Sequence, residues 1–166
     1  MVARRSHSQP PLAQGLEWLS SSVEQTQGFG RQLGRVLRGG DVVACYGTLG
    51  SGKTTWIQGI AAGLGISPER VKSPTFVLMR EYPGSIPLVH LDGYRLEAPV
   101  EVGWLDPEWM FAPHKVTVIE WAERFADWLP EGHIEIRLQY VSSHRRKITL
   151  IPHARRAQEI FAQLQG

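Results

Sequence analysis

Apolar positions along this chain recur with two periods. One suits strands covered on both faces, the other helices with a single apolar side. Val42-Val43-Ala44-Cys45-Tyr46 is a continuous, β-branched-rich run of buried-strand type. Just beyond it, Trp56, Ile57, Ile60, Ala61 and Leu64 repeat at helical spacing, and Gly65 is placed to end that helix. Upstream, Ser21 as N-cap with Glu24 three residues on predicts a helix start. Phe29, Leu33, Val36 and Leu37 then share one face until Gly39-Gly40.

The second half continues the alternation. Val71-Lys72-Ser73-Pro74 is extended, because Pro74 disfavours a helical Ser73. Thr75–Arg80 and Leu88–Leu91 read as strands joined through Pro83-Gly84, an antiparallel pair. Val100–Phe111, rich in tryptophan and broken by Pro107, predicts one or two short helices, with Asp106 as an N-cap. Val116–Ile119 is another buried strand, closed by Glu120. Trp121, Phe125, Trp128 and Leu129 form a helical face that stops at Pro130, and Trp121 reads as core. Ile134–Tyr140 and Lys147–Ile151 alternate as a hairpin across Val141–Arg146, and Ala154–Leu164 is a last amphipathic helix. Strands alternating with helices, plus two hairpin-like pairs, predict a single α/β domain with a mixed sheet and flanking helices.

Composition narrows this only a little. At 166 residues and 42% hydrophobic, the chain suits one domain with a real core. A net charge of +2 is too small to imply nucleic-acid binding by itself. The single cysteine, Cys45, excludes an internal disulfide, and the six histidines show no metal-ligand spacing. No apolar run reaches membrane length, so a cytoplasmic protein is expected. Met1–Gly15, basic, Ser/Pro-containing and without acids, is expected to be a flexible leader to a domain spanning 16–166.

The chemistry is concentrated in Gly47-Thr48-Leu49-Gly50-Ser51-Gly52-Lys53-Thr54, which satisfies Gly-x-x-x-x-Gly-Lys-Ser/Thr between a strand and a helix. Glycines let backbone N–H groups approach phosphate oxygens, and the helix N-terminus adds to the anion cradle. Lys53 would reach the β- and γ-phosphates, the Thr54 hydroxyl a Mg²⁺ ion, and Thr55 continues the binding stretch. A nucleoside triphosphate with Mg²⁺ is the expected ligand of this P-loop.

Such a loop needs an acidic metal partner and a group to orient the attacking atom. Ligands of open α/β sheets sit outside the carboxyl ends of the strands. Glu120 and Asp92 each close a strand there, Glu120 at the place of a metal-binding carboxylate; a helix cap or a solvated loop acid is the alternative for each, and the P-loop beside them favours the functional reading. Thr75, in Ser73-Pro74-Thr75, is placed to sense phosphate or simply to start a strand. Lys72, Arg95 and Arg124 are candidates for phosphate or partner contacts.

Together with the P-loop, Ser73-Pro74-Thr75-Phe76, His90-Leu91-Asp92-Gly93-Tyr94-Arg95 and Glu120-Trp121-Ala122-Glu123-Arg124 resemble, in order, the motif series of the bacterial TsaE (YjeE) ATPases. The resemblance covers about residues 22 to 151. It implies a small ATPase needed for threonylcarbamoyl-adenosine formation in tRNA, acting with TsaD and TsaB proteins, with tRNA met through that complex. It implies Mg²⁺ on Thr54 and Glu120, a catalytic or water-positioning Asp92, a switch-like loop at Thr75, and an adenine-side segment near Thr26. Gly93 stands where the family motif commonly has a bulkier residue. A small-molecule kinase of P-loop type is the alternative, with Arg145-Arg146-Lys147 as its lid, although that run sits in a hairpin turn late in the chain. A guanine-reading Asn-Lys-x-Asp is absent from the sequence, which argues against a GTP switch.

Overall fold

The computed structural model describes residues 15–74, 78–96, 106–152 and 154–166. Seven strands among them form one mixed sheet: β1 (Leu16–Ser20), β2 (Val42–Tyr46), β3 (Met79–Tyr82), β4 (Leu88–Asp92), β5 (Val116–Glu120), β6 (Ile134–Tyr140) and β7 (Arg146–Ile151). Their order is β1-β7-β6-β2-β5-β4-β3. The inner block β6-β2-β5-β4 is parallel, while β3 pairs antiparallel with β4, β7 with β6, and β1 with β7. The helices are α1 (Val23–Val36), α2 (Lys53–Gly63), α3 (Pro107–Met110) and α4 (Arg155–Gln165), with 3₁₀ turns at Pro68–Arg70 and Ala122–Trp128.

The inner strands read as unbroken apolar runs because both of their faces are covered. In β2, Val43 and Cys45 join the core containing Leu33, Trp56, Ile60, Ala157 and Ile160, on the side of α1, α2 and α4. Val42 and Ala44 point the other way, into a smaller core with Val89, Leu91, Met110, Ile119 and Phe125. Each large side chain buried this way contributes about 1.5–3 kcal/mol. Arg156 of α4 ties the layers together, donating from Nε and Nη2 to the two oxygens of Asp41 at 2.9 Å each and from Nη2 to the Val36 carbonyl at 2.8 Å.

Helices α1 and α2 meet along glycines. A Cβ on Gly30 would strike the Trp56 carbonyl, one on Gly59 the Gln27 carbonyl, and one on Gly63 would stand 2.7 Å from the Gly34 Cα. This seam lets the P-loop helix lie directly on its neighbour, and it holds α2 at a fixed height over the sheet.

Several expectations shift. The first helix is capped by Ser22, whose hydroxyl accepts from the Gln25 N–H at 3.1 Å, while Gln25 Oε1 accepts from the Ser21 N–H at 2.7 Å. The N-cap is thus Ser22, one residue beyond Ser21, and Gln25 rather than Glu24 reaches back, to the residue before the cap. Strand β1 has no counterpart in the sequence reading. β3 begins at Met79 and runs to Tyr82, later than the expected Thr75–Arg80; residues 75–77 lie outside the described residues, as do 97–105 and 1–14. The helix expected after Glu120 is 3₁₀, interrupted at Phe125. Asp106 caps α3, accepting from the Glu108 N–H at 3.0 Å with Pro107 in the first turn. No helix among the described residues is long and apolar enough to cross a membrane.

Candidate functional site

Parallel strands deliver their carboxyl ends to one edge of the sheet, so the loop after β2, the ends of β4 and β5 and the hairpin after β6 all meet there. They enclose a cleft of about 420 Å³. Leu49, Gly50, Gly52, Lys53, Thr54 and Thr55 line its loop side, and Ser73, Asp92, Tyr94, Glu120, Trp121 and Arg146 the rest.

The loop takes its shape from three local demands. Gly50 and Gly52 sit in the left-handed region, at φ +79° and +96°, where a side chain is strained. Gly47 has no room for a Cβ, which would stand 2.6 Å from the Leu138 carbonyl of β6. Lys53 then folds back over the loop, its Nζ donating to the carbonyls of Gly47 at 2.5 Å and Thr48 at 2.8 Å. Gly47 and Thr48 therefore brace the lysine from behind the cleft, and Ser51 is wholly buried beneath it. Leu49, by contrast, stands 74% exposed at the loop tip.

The two strand-end acids converge on the start of α2. The Thr54 hydroxyl donates to Glu120 Oε1 at 3.0 Å, and the other Glu120 oxygen meets His90 Nε2 at 2.7 Å. Asp92 pairs in register with Glu120 across β4 and β5. Its Oδ2 accepts from the Ser73 hydroxyl at 2.5 Å and its Oδ1 from the Tyr94 N–H at 2.9 Å. Asp92 and Glu120 are 2% and 3% exposed, so neither is a solvated loop acid. Burial pushes the Lys53 ammonium below its ordinary value, with the Glu120 carboxylate the largest opposing influence.

Trp121 corrects the reading of that residue as core. It adopts a left-handed backbone at φ +56°, which turns the chain after β5 and sets its indole in the cleft. Lys53 Nζ lies 4.5 Å from the ring centroid, and the Tyr94 ring packs at 5.2 Å on the indole. The turn before Tyr94 is tight: a Cβ on Gly93 would come within 2.8 Å of Arg124 Cβ and 2.9 Å of the Trp121 carbonyl. A glycine is what this turn has room for.

Of the expected site residues, the described structure thus gathers Lys53, Thr54, Thr55, Asp92 and Glu120 around one cleft. Thr75 lies outside the described residues; Ser73 of the same segment reaches Asp92. Lys72, Arg95 and Arg124 do not line the cleft. Arg146 does, although the sequence suggested it only as part of a kinase lid. Its Nε donates to the Gly50 carbonyl at 3.1 Å, across 96 residues of chain. His90 and Ser73 were legible only as motif letters, and the strand alternation placing His90 on the face of Asp92 is the signal that would have found it. A smaller cleft adjoins the first, lined by Ser22, Thr26, Thr55, Ser143, His144 and Arg146 among others.

The family profile described as Threonylcarbamoyl adenosine biosynthesis protein TsaE matches residues 20–148. The tRNA threonylcarbamoyladenosine biosynthesis protein TsaE of Treponema pallidum (strain Nichols) is 39% identical over 132 residues, which is 80% of this chain and 97% of that protein. The protein of the same description from Bacillus subtilis (strain 168) is 34% identical over 150 residues, 90% of this chain and 93% of its own. The crystal structure of Bacillus subtilis YdiB superposes with a TM-score of 0.79 at 28% identity, covering 95% of this chain and 97% of that one.

Proposed function

The chain belongs to the TsaE family of tRNA threonylcarbamoyladenosine biosynthesis, and from that premise we propose that it binds Mg-ATP at residues 47–55 and hydrolyses it. It does so with TsaD and TsaB proteins, in the cytoplasm, and meets tRNA through that complex. The observation that carries the reading is the Thr54–Glu120 contact at 3.0 Å, set beside Lys53 at the start of a glycine-loop helix.

Thr54 and Glu120 offer the hard oxygen donors that Mg²⁺ takes alongside phosphate oxygens and water. Held by Thr54 and Glu120, the ion would offset the negative charge of the phosphate oxygens. Lys53 holds the β- and γ-phosphates while the backbone N–H groups of the loop hold the rest of the chain of oxygens. Asp92, fixed by Ser73 and Tyr94, is set to orient the attacking water and accept its proton. Trp121 and Tyr94 wall the cleft against bulk water. Thr75, two residues beyond Ser73, would report the γ-phosphate to a partner as switch loops do. Thr26 and the smaller cleft lie on the adenine side.

Two measurements test this. Calorimetric titration should show Mg-ATP binding that Lys53→Ala removes in a folded variant. Steady-state hydrolysis should be slow for the chain alone and rise with TsaD and TsaB, tRNA modification needing all three. Undiminished binding by Lys53→Ala would overturn the site. Fast turnover indifferent to those proteins, or phosphate transfer to a small acceptor, would favour the kinase alternative.

A further inference from the structure

The β6–β7 hairpin rises at the same sheet edge as the P-loop, because β6 lies parallel and adjacent to β2. Arg146 leads the return strand and is held on three sides before any ligand arrives. Its Nη1 donates to the carbonyls of Ser142 at 2.7 Å and Arg145 at 3.0 Å. The Tyr140 ring lies 4.6 Å from the guanidinium carbon. Its Nε takes the Gly50 carbonyl, and its Cγ passes over Gly52, 3.8 Å from where a Cβ would stand. Among the described residues, Nη2 makes no hydrogen bond. Arg146 also lines both clefts, so it stands where they join.

A nucleotide whose phosphates lie on residues 47–55 and whose base occupies the smaller cleft must pass this guanidinium. We propose that Arg146 is a phosphate-contacting arginine built into the chain, reaching the polyphosphate from the β6–β7 hairpin where the two clefts join. The proposal rests on the Mg-ATP reading above. The fork is pre-ordered by its own hairpin, so little freedom is lost on contact, and a planar guanidinium suits phosphate oxygens better than an ammonium. The hairpin's late position in the chain, which counted against a role, is irrelevant once the sheet order brings it beside β2.

The test compares wild type, Arg146→Gln and Arg146→Lys by calorimetric titration with Mg-ATP and Mg-ADP at several salt concentrations, each variant first checked for an unchanged melting temperature. Arg146→Gln should weaken both nucleotides about 10- to 100-fold, the usual scale of a charge-assisted hydrogen bond. It should also flatten the salt dependence of affinity, since one cation no longer faces the phosphates. Arg146→Lys, keeping the charge without the fork, should fall between. Affinity equal to wild type in Arg146→Gln would overturn the proposal. So would equal losses in both variants with an unchanged salt dependence, which would make Arg146 only a brace for the Gly50 carbonyl. Failure of the wild type to bind Mg-ATP would overturn the nucleotide reading itself, a different result from wild-type binding with an indifferent Arg146.

Discussion

His90 and Glu120 are joined at 2.7 Å between adjacent strands, the histidine wholly buried and the carboxylate nearly so. His90 Nδ1 has no hydrogen-bond partner among the described residues. Donation from Nε2–H to Glu120 Oε2 therefore assigns the tautomer, and it leaves Oε1 aimed at Thr54. A buried ring that touches neither cleft orients the carboxylate proposed to hold Mg²⁺.

His90→Leu should consequently raise the Mg²⁺ concentration needed for half-maximal ATP hydrolysis about 10- to 100-fold, the usual effect of removing an outer partner of a metal ligand. Nucleotide affinity without metal should stay near wild type. His90→Gln, which keeps an N–H within reach of Glu120, should recover part of the loss. Mn²⁺ binding followed by electron paramagnetic resonance reads the same quantity directly. A folded His90→Leu protein with wild-type metal requirement would remove His90 from the site.

Asp92 invites a variant that keeps its shape. In Asp92→Asn the amide oxygen can still accept from the Tyr94 N–H, and the Ser73 hydroxyl can turn to accept from the new NH₂. Loss of the charge alone should lower turnover on the order of 10²–10⁴-fold with Mg-ATP affinity little changed, the signature of a group acting on the water. Affinity falling in step with rate would make Asp92 a ligand of the bound state instead.

What could be read from the chain follows from how each feature is encoded. β2, β5 and the start of α2 were legible because parallel, doubly covered strands are continuous apolar runs and a phosphate loop needs glycines at set places. β1 was not: Leu16 and Trp18 face the core, but Leu19 is exposed and the strand exists only by pairing with β7 at the far end of the chain. The N-cap slipped between Ser21 and Ser22 because side-chain type does not say which serine takes the extended backbone. Trp121 looks like core by composition, and only its left-handed backbone turns it into the cleft. Arg146 was hidden by sequence distance, since nothing local reveals that β6 lies next to β2.

Cys45 supplies a report on the sheet itself. It is the chain's one cysteine, wholly buried in the middle of β2, and burial, assisted by the Glu120 carboxylate, pushes its thiol far above the ordinary range. The native protein should resist a thiol-exchange reagent such as Ellman's at pH 8, and release one equivalent when unfolded in urea. Because β2 runs straight into the phosphate loop, saturating Mg-ATP should slow native-state labelling further by mass action. Rapid stoichiometric labelling of the folded chain would contradict the buried strand.

The glycine seam makes opposite forecasts for two residues of one helix. In an exposed helical position Gly→Ala stabilises by about 0.5–1 kcal/mol, because alanine has less backbone freedom to lose. Gly28 of α1, although half-buried, has room for the same gain: a Cβ there meets nothing within 4 Å. Gly30, two residues on, is buried, and its Cβ would run into the Trp56 carbonyl and stand 3.1 Å from Gly59 Cα. Those are backbone atoms of α2 and cannot rotate away, so the helices must part. Overpacking of this kind costs about 1–3 kcal/mol, which exceeds the propensity gain. Gly28→Ala should therefore raise the urea midpoint and Gly30→Ala lower it. The effect reaches the site as well. Helix α2 begins at Lys53 and Thr54, so displacing it shifts both against Glu120, whose strand stays fixed in the sheet. Gly30→Ala should weaken Mg-ATP binding under conditions where the protein remains folded, while Gly28→Ala leaves it unchanged. Equal stability changes in the two variants would mean that α1 and α2 do not meet backbone to backbone.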